Sequence, residues 1–224
     1  VVIVAAAGNE NNNKKYYPAS FPTVISTSAL KADTTFAYFT SNRNYEVSVA
    51  ALGHNVRQAR GNETSAYFGD QGTSAASAIV SGLVGLVRAH FPEMTAIQIR
   101  RQIIATGDYI DTIPGNEAYA GLMGRMINPY RALTDTIIPG LKVIGQNVND
   151  GDSLCDNKGQ IVDFDLTFVN LLRPSSSVSY ELTAITDNFE FIDSLGLLQD
   201  LGTMDTLPGF DVPFQINVFE STQT

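Results

Sequence analysis

Residues 75–87, Ala-Ala-Ser-Ala-Ile-Val-Ser-Gly-Leu-Val-Gly-Leu-Val, carry no charge, and Pro92 stops the run soon after. At helical spacing Ala76, Val80, Leu83, Val84 and Val87 form one stripe. Ala75, Ala78, Ile79, Gly82 and Leu86 make the rest of the surface apolar as well. A helix apolar all round and no longer than about twenty residues is expected at the buried centre of a domain. Asp70-Gln71-Gly72 leads into Thr73-Ser74, so these two residues open the helix. There, unpaired backbone N–H groups and the positive end of the helix dipole face outward.

A serine at that place has two readings. One is an ordinary N-cap, a position that favours Ser and Thr. The other is a nucleophile, because a helix N-terminus stabilises negative charge developing beside it. The sequence around it, Gly72-Thr73-Ser74-x-Ala76-x-x-x-Val80-x-Gly82, resembles the nucleophile motif of the subtilisin-like serine peptidases. It departs from that family at Ala78, where proline is usual, and at Ile79, where histidine is usual. The resemblance implies that Ser74 is the reactive serine.

Two further stretches carry the same resemblance, in the same order. Val1-Val2-Ile3-Val4-Ala5-Ala6-Ala7 reads as a buried parallel strand, and Val4 to Glu10 is similar to the family segment that supplies the oxyanion asparagine, here Asn9. In isolation an Asn at a strand end is a turn residue. In the family its amide faces the carbonyl oxygen of the acyl intermediate, and the serine's own backbone N–H is the second donor. Tyr17-Pro18-Ala19 before the apolar run 24–29 resembles the family's exit from the substrate pocket, where the Tyr-Pro bond is often cis. In this register Ala6, Gly8 and Glu10 wall the specificity pocket and Tyr16 lies near its floor, shortening it in favour of small side chains.

The remaining segments are expected as follows. Phe39 to Asn42 is a loop, residues 47–53 a short strand, residues 55–69 a polar loop, and Thr95-x-x-Gln98 a capping box opening a helix to about Thr106. Arg100 and Arg101 read as a solvated face, and His90 as a terminal-turn residue near free carbonyls. His54 falls in a loop without a triad role. Gly124 to Leu133 resembles the family's final strand and helix.

Charge divides the chain. Residues 1–139 carry 11 Lys+Arg against 10 Asp+Glu, whereas 140–224 carry 3 against 13. A domain boundary near Pro139-Gly140 is expected, and the acidic second part argues against nucleic-acid binding. Residues 1–139 are expected to form the C-terminal half of a subtilisin-like peptidase domain, an α/β three-layer fold with a parallel sheet and a buried central helix. Residues 140–224 alternate with period two at 162–168, 178–182 and 210–218, with turns at 173–177 and 207–209, and are expected to form an all-β, immunoglobulin-like sandwich. Asp150, Asp152 and Asp156 lack the spacing of a calcium loop, so no metal or cofactor is expected. The lone Cys155 excludes an intrachain disulfide, and no apolar stretch is long enough to span a membrane.

Acyl transfer by a serine also needs a base and a residue to orient it. In the family the aspartate and histidine precede the asparagine, and only eight residues precede Asn9 here. The expected partners are therefore a polypeptide substrate and a missing N-terminal half of the catalytic domain. Three explanations stand: a segment of a longer active enzyme, a proteolysed piece held to its other half, or a degenerate non-enzyme that serves as a binding or scaffold protein. A start in mid-strand favours the first two. By resemblance the whole protein is secreted or cell-surface.

Overall fold

Ile25–Leu30 is an apolar, β-prone run whose six residues are all buried, as expected of a parallel strand covered on both faces. Around it the computed structural model describes residues 1–59, 61, 67–148, 161–182, 189–207 and 214–218. The chain forms two compact units, Val1–Thr136 and Ile137–Thr224.

In chain order the first unit holds β1 (Val4–Ala6), β2 (Ile25–Leu30), β3 (Val49–Leu52), the antiparallel pair β4 (Val56–Ala59) and β5 (Tyr67–Asp70), α1 (Thr73–His90), α2 (Ala96–Ala105), β6 (Arg125–Met126) and α3 (Pro129–Thr134). A parallel sheet runs β1-β2-β3-β6, with Val4 opposite Ile25, Thr27 opposite Val49, and Val49 opposite Arg125. The alternation of side chains across β2 and β3 divides the core in two. Ile25, Ala29, Val49 and Ala51 meet Ala76, Val80, Leu83 and Val87 of α1 and Ile99 and Ile103 of α2. Burying each of the larger side chains contributes on the order of 1.5–3 kcal/mol. Leu30 and Ala50, on the opposite face, pack with Phe36, Ile110 and Met123. That layer is built from connecting segments and the short 3-10 helix Glu117–Tyr119.

The inner stripe of α1 is as expected, but the helix is not buried all round. Ala78, Gly82 and Gly85 are exposed or half-exposed, as are Ile79 and Leu86 at 37% and 55%. The sheet reaches only one side of the helix, and an added Cβ on Gly82 or Gly85 would meet nothing within 4 Å. β1 is likewise half-buried rather than buried, because it is the edge of the sheet; Val1 and Ile3 are exposed.

Residues 55–69 are not simply a polar loop, since β4 and β5 pair with Val56 opposite Asp70 and Ala59 opposite Tyr67. The β-prone Tyr67 and Phe68 supply the second strand. α2 begins on the expected capping box of Thr95 and Gln98. Arg100 and Arg101 are a correction: both are half-buried, Arg100 donating through Nε to the Val24 carbonyl at 3.3 Å and through Nη2 to Ser48 Oγ at 3.2 Å. Burial, with Arg100 and Arg125 nearby, pushes the Arg101 guanidinium down to about 10. At the end of α1, Arg88 donates to the carbonyls of Pro92 and Met94, while His90 stands edge-on to the ring of Phe91 at 4.5 Å.

The second unit holds β7 (Leu141–Val148), β8 (Ile161–Asn170), β9 (Ser175–Glu181), β10 (Phe189–Asp193), β11 (Leu195–Leu201), β12 (Thr206–Leu207) and β13 (Phe214–Val218). One antiparallel sheet runs β10-β13-β8-β12 with β7 also on β8, and β9 pairs with β11. The turn expected at 173–177 is shorter, because Ser175 already belongs to β9. Asn170 makes the shortening possible. Its fully buried carboxamide accepts from Gly140 N at 2.9 Å and donates to the carbonyl of Arg173 at 2.8 Å. Asp150, Asp152, Cys155, Asp156 and residues 208–213 lie outside the described residues.

Candidate active site

Asn9 follows β1, and Thr73 and Ser74 open α1, sixty-four and sixty-five positions away in the chain. The fold places them together. The N-cap of α1 is Gly72, which has no side chain to cap with, so neither Thr73 nor Ser74 performs that task. The first free N–H of the helix is taken instead by Asn9. Its Oδ1 accepts from Thr73 N at 2.8 Å and from Thr73 Oγ1 at 2.9 Å. Gly72 is required for this approach: its φ is +134°, and a Cβ there would lie 3.1–3.3 Å from the Asn9 carboxamide. Gly72 N also donates to the Gly53 carbonyl at 2.6 Å, tying the segment before Ser74 to the end of β3.

Ser74 is exposed, and its carbonyl accepts from Ser77 Oγ at 2.9 Å. With Oδ1 committed to Thr73, the Asn9 amide Nδ2 has no partner among the described residues, nor has the Ser74 backbone N–H. Two donors and a hydroxyl are thus left unengaged at the open end of a helix whose dipole favours negative charge. Such an arrangement can stabilise an oxyanion.

The loop carrying Asn9 is shaped by a residue to which the sequence assigned no role. Asn42 is fully buried; its Oδ1 accepts from Glu10 N at 2.9 Å and Asn12 N at 3.2 Å. Its Nδ2 donates to Glu10 Oε2 at 2.6 Å and to the Ala7 carbonyl at 3.3 Å. Glu10 Oε2 also accepts from Asn9 N at 2.9 Å. Only glycine fits at position 8, where φ is +108° and a Cβ would collide with Asn42 Nδ2. Phe39 to Asn42 resembles a Phe-Ser-Asn stretch of the family, but nothing local shows what Asn42 does, because its carboxamide partners lie thirty or more residues earlier.

Of the remaining residues expected at a pocket, Ala6 ends β1 opposite Thr27. Tyr16 is half-buried, and its hydroxyl accepts from Asn12 Nδ2 at 3.4 Å. The Tyr17–Pro18 bond is cis. Among the described residues no hydrogen bond joins either histidine to Ser74: the His54 ring stands edge-on to that of Phe39 at 5.0 Å, and His90 closes the other end of α1. Among the described residues no group of three or more His, Cys, Asp or Glu is placed to hold a metal ion, and no helix is long and apolar enough to cross a membrane.

The structure of the prenylagaramide maturation protease PagA is similar to this chain, with 22% sequence identity and a TM-score of 0.50 over 59% of this chain and 50% of that one. So is a protease of Pseudoalteromonas arctica, with 24% identity and a TM-score of 0.51 over 60% of this chain and 42% of that one. At these identities the likeness is one of fold. The chain spans half or less of the length of these two proteases. Residues 1–157 match the family model of the subtilases, peptidase family S8, and the chain belongs to the subtilase family.

Proposed function

We propose that this chain is the C-terminal part of a serine endopeptidase that hydrolyses peptide bonds through an acyl-enzyme, with Ser74 as nucleophile. The Asn9 amide and the Ser74 backbone N–H stabilise the oxyanion. The observation that carries this reading is the pair of hydrogen bonds from Thr73 to Asn9 Oδ1, which leaves Nδ2 unengaged beside the exposed Ser74. Family membership and the protease relatives support a peptidase.

The base and its orienting acid come from an N-terminal half of the catalytic domain outside this chain. In support, the chain covers 50% and 42% of the two similar proteases, and the exposed face of α1 is apolar and built of small residues. The substrate is a polypeptide whose side chain enters between Ala6, Gly8, Glu10 and Tyr16. Residues 140–224 form an immunoglobulin-like sandwich appended to the catalytic part, and the whole protein acts outside the cell. The competing reading is a non-catalytic scaffold that keeps this half-fold. What favours it is that among the described residues neither His54 nor His90 is hydrogen-bonded to Ser74.

A fluorophosphonate probe decides between them. It should label the full-length protein carrying this chain and spare the Ser74→Ala variant. A well-folded full-length protein that takes no label overturns the peptidase.

A further inference from the structure

Asn42 lies between the short 3-10 helix Tyr38–Thr40 and β3, away from both strand β1 and helix α1 in the chain. It nevertheless sets the course of the backbone around Asn9. Its own N–H donates to the Gly8 carbonyl at 2.8 Å, and both donors and both acceptor sites of its carboxamide are used on Ala7, Glu10 and Asn12. Asn42 is anchored in turn by its neighbour. Ser41, also fully buried, accepts from Ala29 N at 3.0 Å, so the carboxamide is fixed to β2. Glu10 relays the constraint, since one oxygen, Oε2, accepts from Asn42 Nδ2 and from Asn9 N.

Resting on the peptidase reading, we infer that Asn42 and Glu10 are positioning residues for the oxyanion donor Asn9. Residues 7–12 form no regular ladder that could hold Asn9 in place. A single carboxamide replaces that ladder, and a carboxylate completes it. Asn9 is then fixed twice, its backbone by Glu10 and its carboxamide oxygen by Thr73, so that rotation of the side chain is removed before substrate arrives. Preorganisation of this kind acts on the transition state, where charge develops, and little on substrate binding. Glu10 therefore serves chiefly as a brace, with one carboxylate oxygen spent on the loop.

The experiment is steady-state kinetics on the full-length protein. Asn42→Ala and Glu10→Ala should each lower kcat by on the order of 10- to 100-fold, the scale of a small misplacement of a catalytic group, with KM little changed in Asn42→Ala, whose side chain is not among those walling the proposed pocket. Glu10→Gln, which keeps an oxygen acceptor for Asn9 N, should recover most of the loss. In an Asn9→Ala background the same substitutions should cost almost nothing further. Glu10 is exposed, so its variants test the inference even if Asn42→Ala fails to fold. Equal losses with and without Asn9, or an unchanged kcat in Glu10→Ala, overturn the positioning role while leaving the peptidase intact. A parent protein that takes no fluorophosphonate overturns the peptidase reading and this inference with it.

Discussion

Thr73 binds Asn9 through two atoms, its backbone N–H at 2.8 Å and its hydroxyl at 2.9 Å, both donating to Asn9 Oδ1. The contact caps a helix from a distant strand end and orients an amide in the same step. Helix capping ordinarily comes from the residue just before the helix. Here Gly72 occupies that place, which lets the cap come from across the fold.

Thr73 is fully buried, so Thr73→Val removes the hydroxyl with little change of shape. Asn9 Oδ1 keeps the backbone donor, but Gly8 N, which donates to Thr73 Oγ1 at 3.2 Å, loses its acceptor as well, and stability should fall by about 1–3 kcal/mol. Urea unfolding of the chain measures this. In the full-length protein the fluorophosphonate should react more slowly, because the Asn9 amide regains freedom to turn.

Gly8→Ala should be far more damaging. The substitution drives a Cβ into Asn42 Nδ2 and holds an L-residue at φ +108°. The strain alone costs on the order of 1–3 kcal/mol, and displacement of a fully bonded carboxamide adds to it. The urea midpoint should drop accordingly. A variant as stable as the parent would show that the loop has another conformation open to it.

What the sequence disclosed were features whose cause lies within a few residues. The inner stripe of α1 follows from spacing, and the start of α2 from Thr95 and Gln98 three positions apart. Other features depend on contacts across the chain and left no local mark. Asn42 and Asn170 look like any turn asparagine, yet both are fully buried and bind backbone groups up to thirty-five residues away. The outer face of α1 is apolar in sequence whether or not anything covers it. Period alone therefore could not tell a fully buried helix from one with an open side.

Asn170→Ala should destabilise the second unit by roughly 3 kcal/mol, since the Gly140 N–H and the Arg173 carbonyl both lose their side-chain partner. Amide exchange at Gly140 and Leu172, whose N–H groups both donate to Asn170 Oδ1, should accelerate with it. Unchanged protection at both amides would show that other partners replace the carboxamide.

Arg101→Met should be neutral or stabilising. The guanidinium is half-buried, its Nε has no partner among the described residues, and its named neighbours Arg100 and Arg125 carry like charge. An apolar side chain of similar length keeps the packing of the stem and removes the cost of an uncompensated charge, a gain of about 1 kcal/mol or more. Thermal unfolding of the two chains side by side reads the sign. A lower melting temperature for the methionine variant would reveal an acidic partner for Arg101.

The open face of α1 offers the sharpest contrast between this chain and the longer protein proposed for it. Gly82 and Gly85 sit in a helix interior where alanine is preferred by about 1 kcal/mol, and a Cβ at either position meets nothing. In the 224-residue chain Gly82→Ala and Gly85→Ala should each raise stability. In the full-length protein an N-terminal half packed on this face would place its own atoms where those Cβ groups go. The same substitutions should then destabilise, by roughly the 1–3 kcal/mol typical of an overfilled contact. Leu86, 55% exposed, should behave in parallel: Leu86→Gln should be nearly silent in the chain and costly in the longer protein. Urea unfolding of both forms gives the comparison. Equal effects in the two would mean that this face of α1 stays open, and that the base for Ser74 does not arrive from that side.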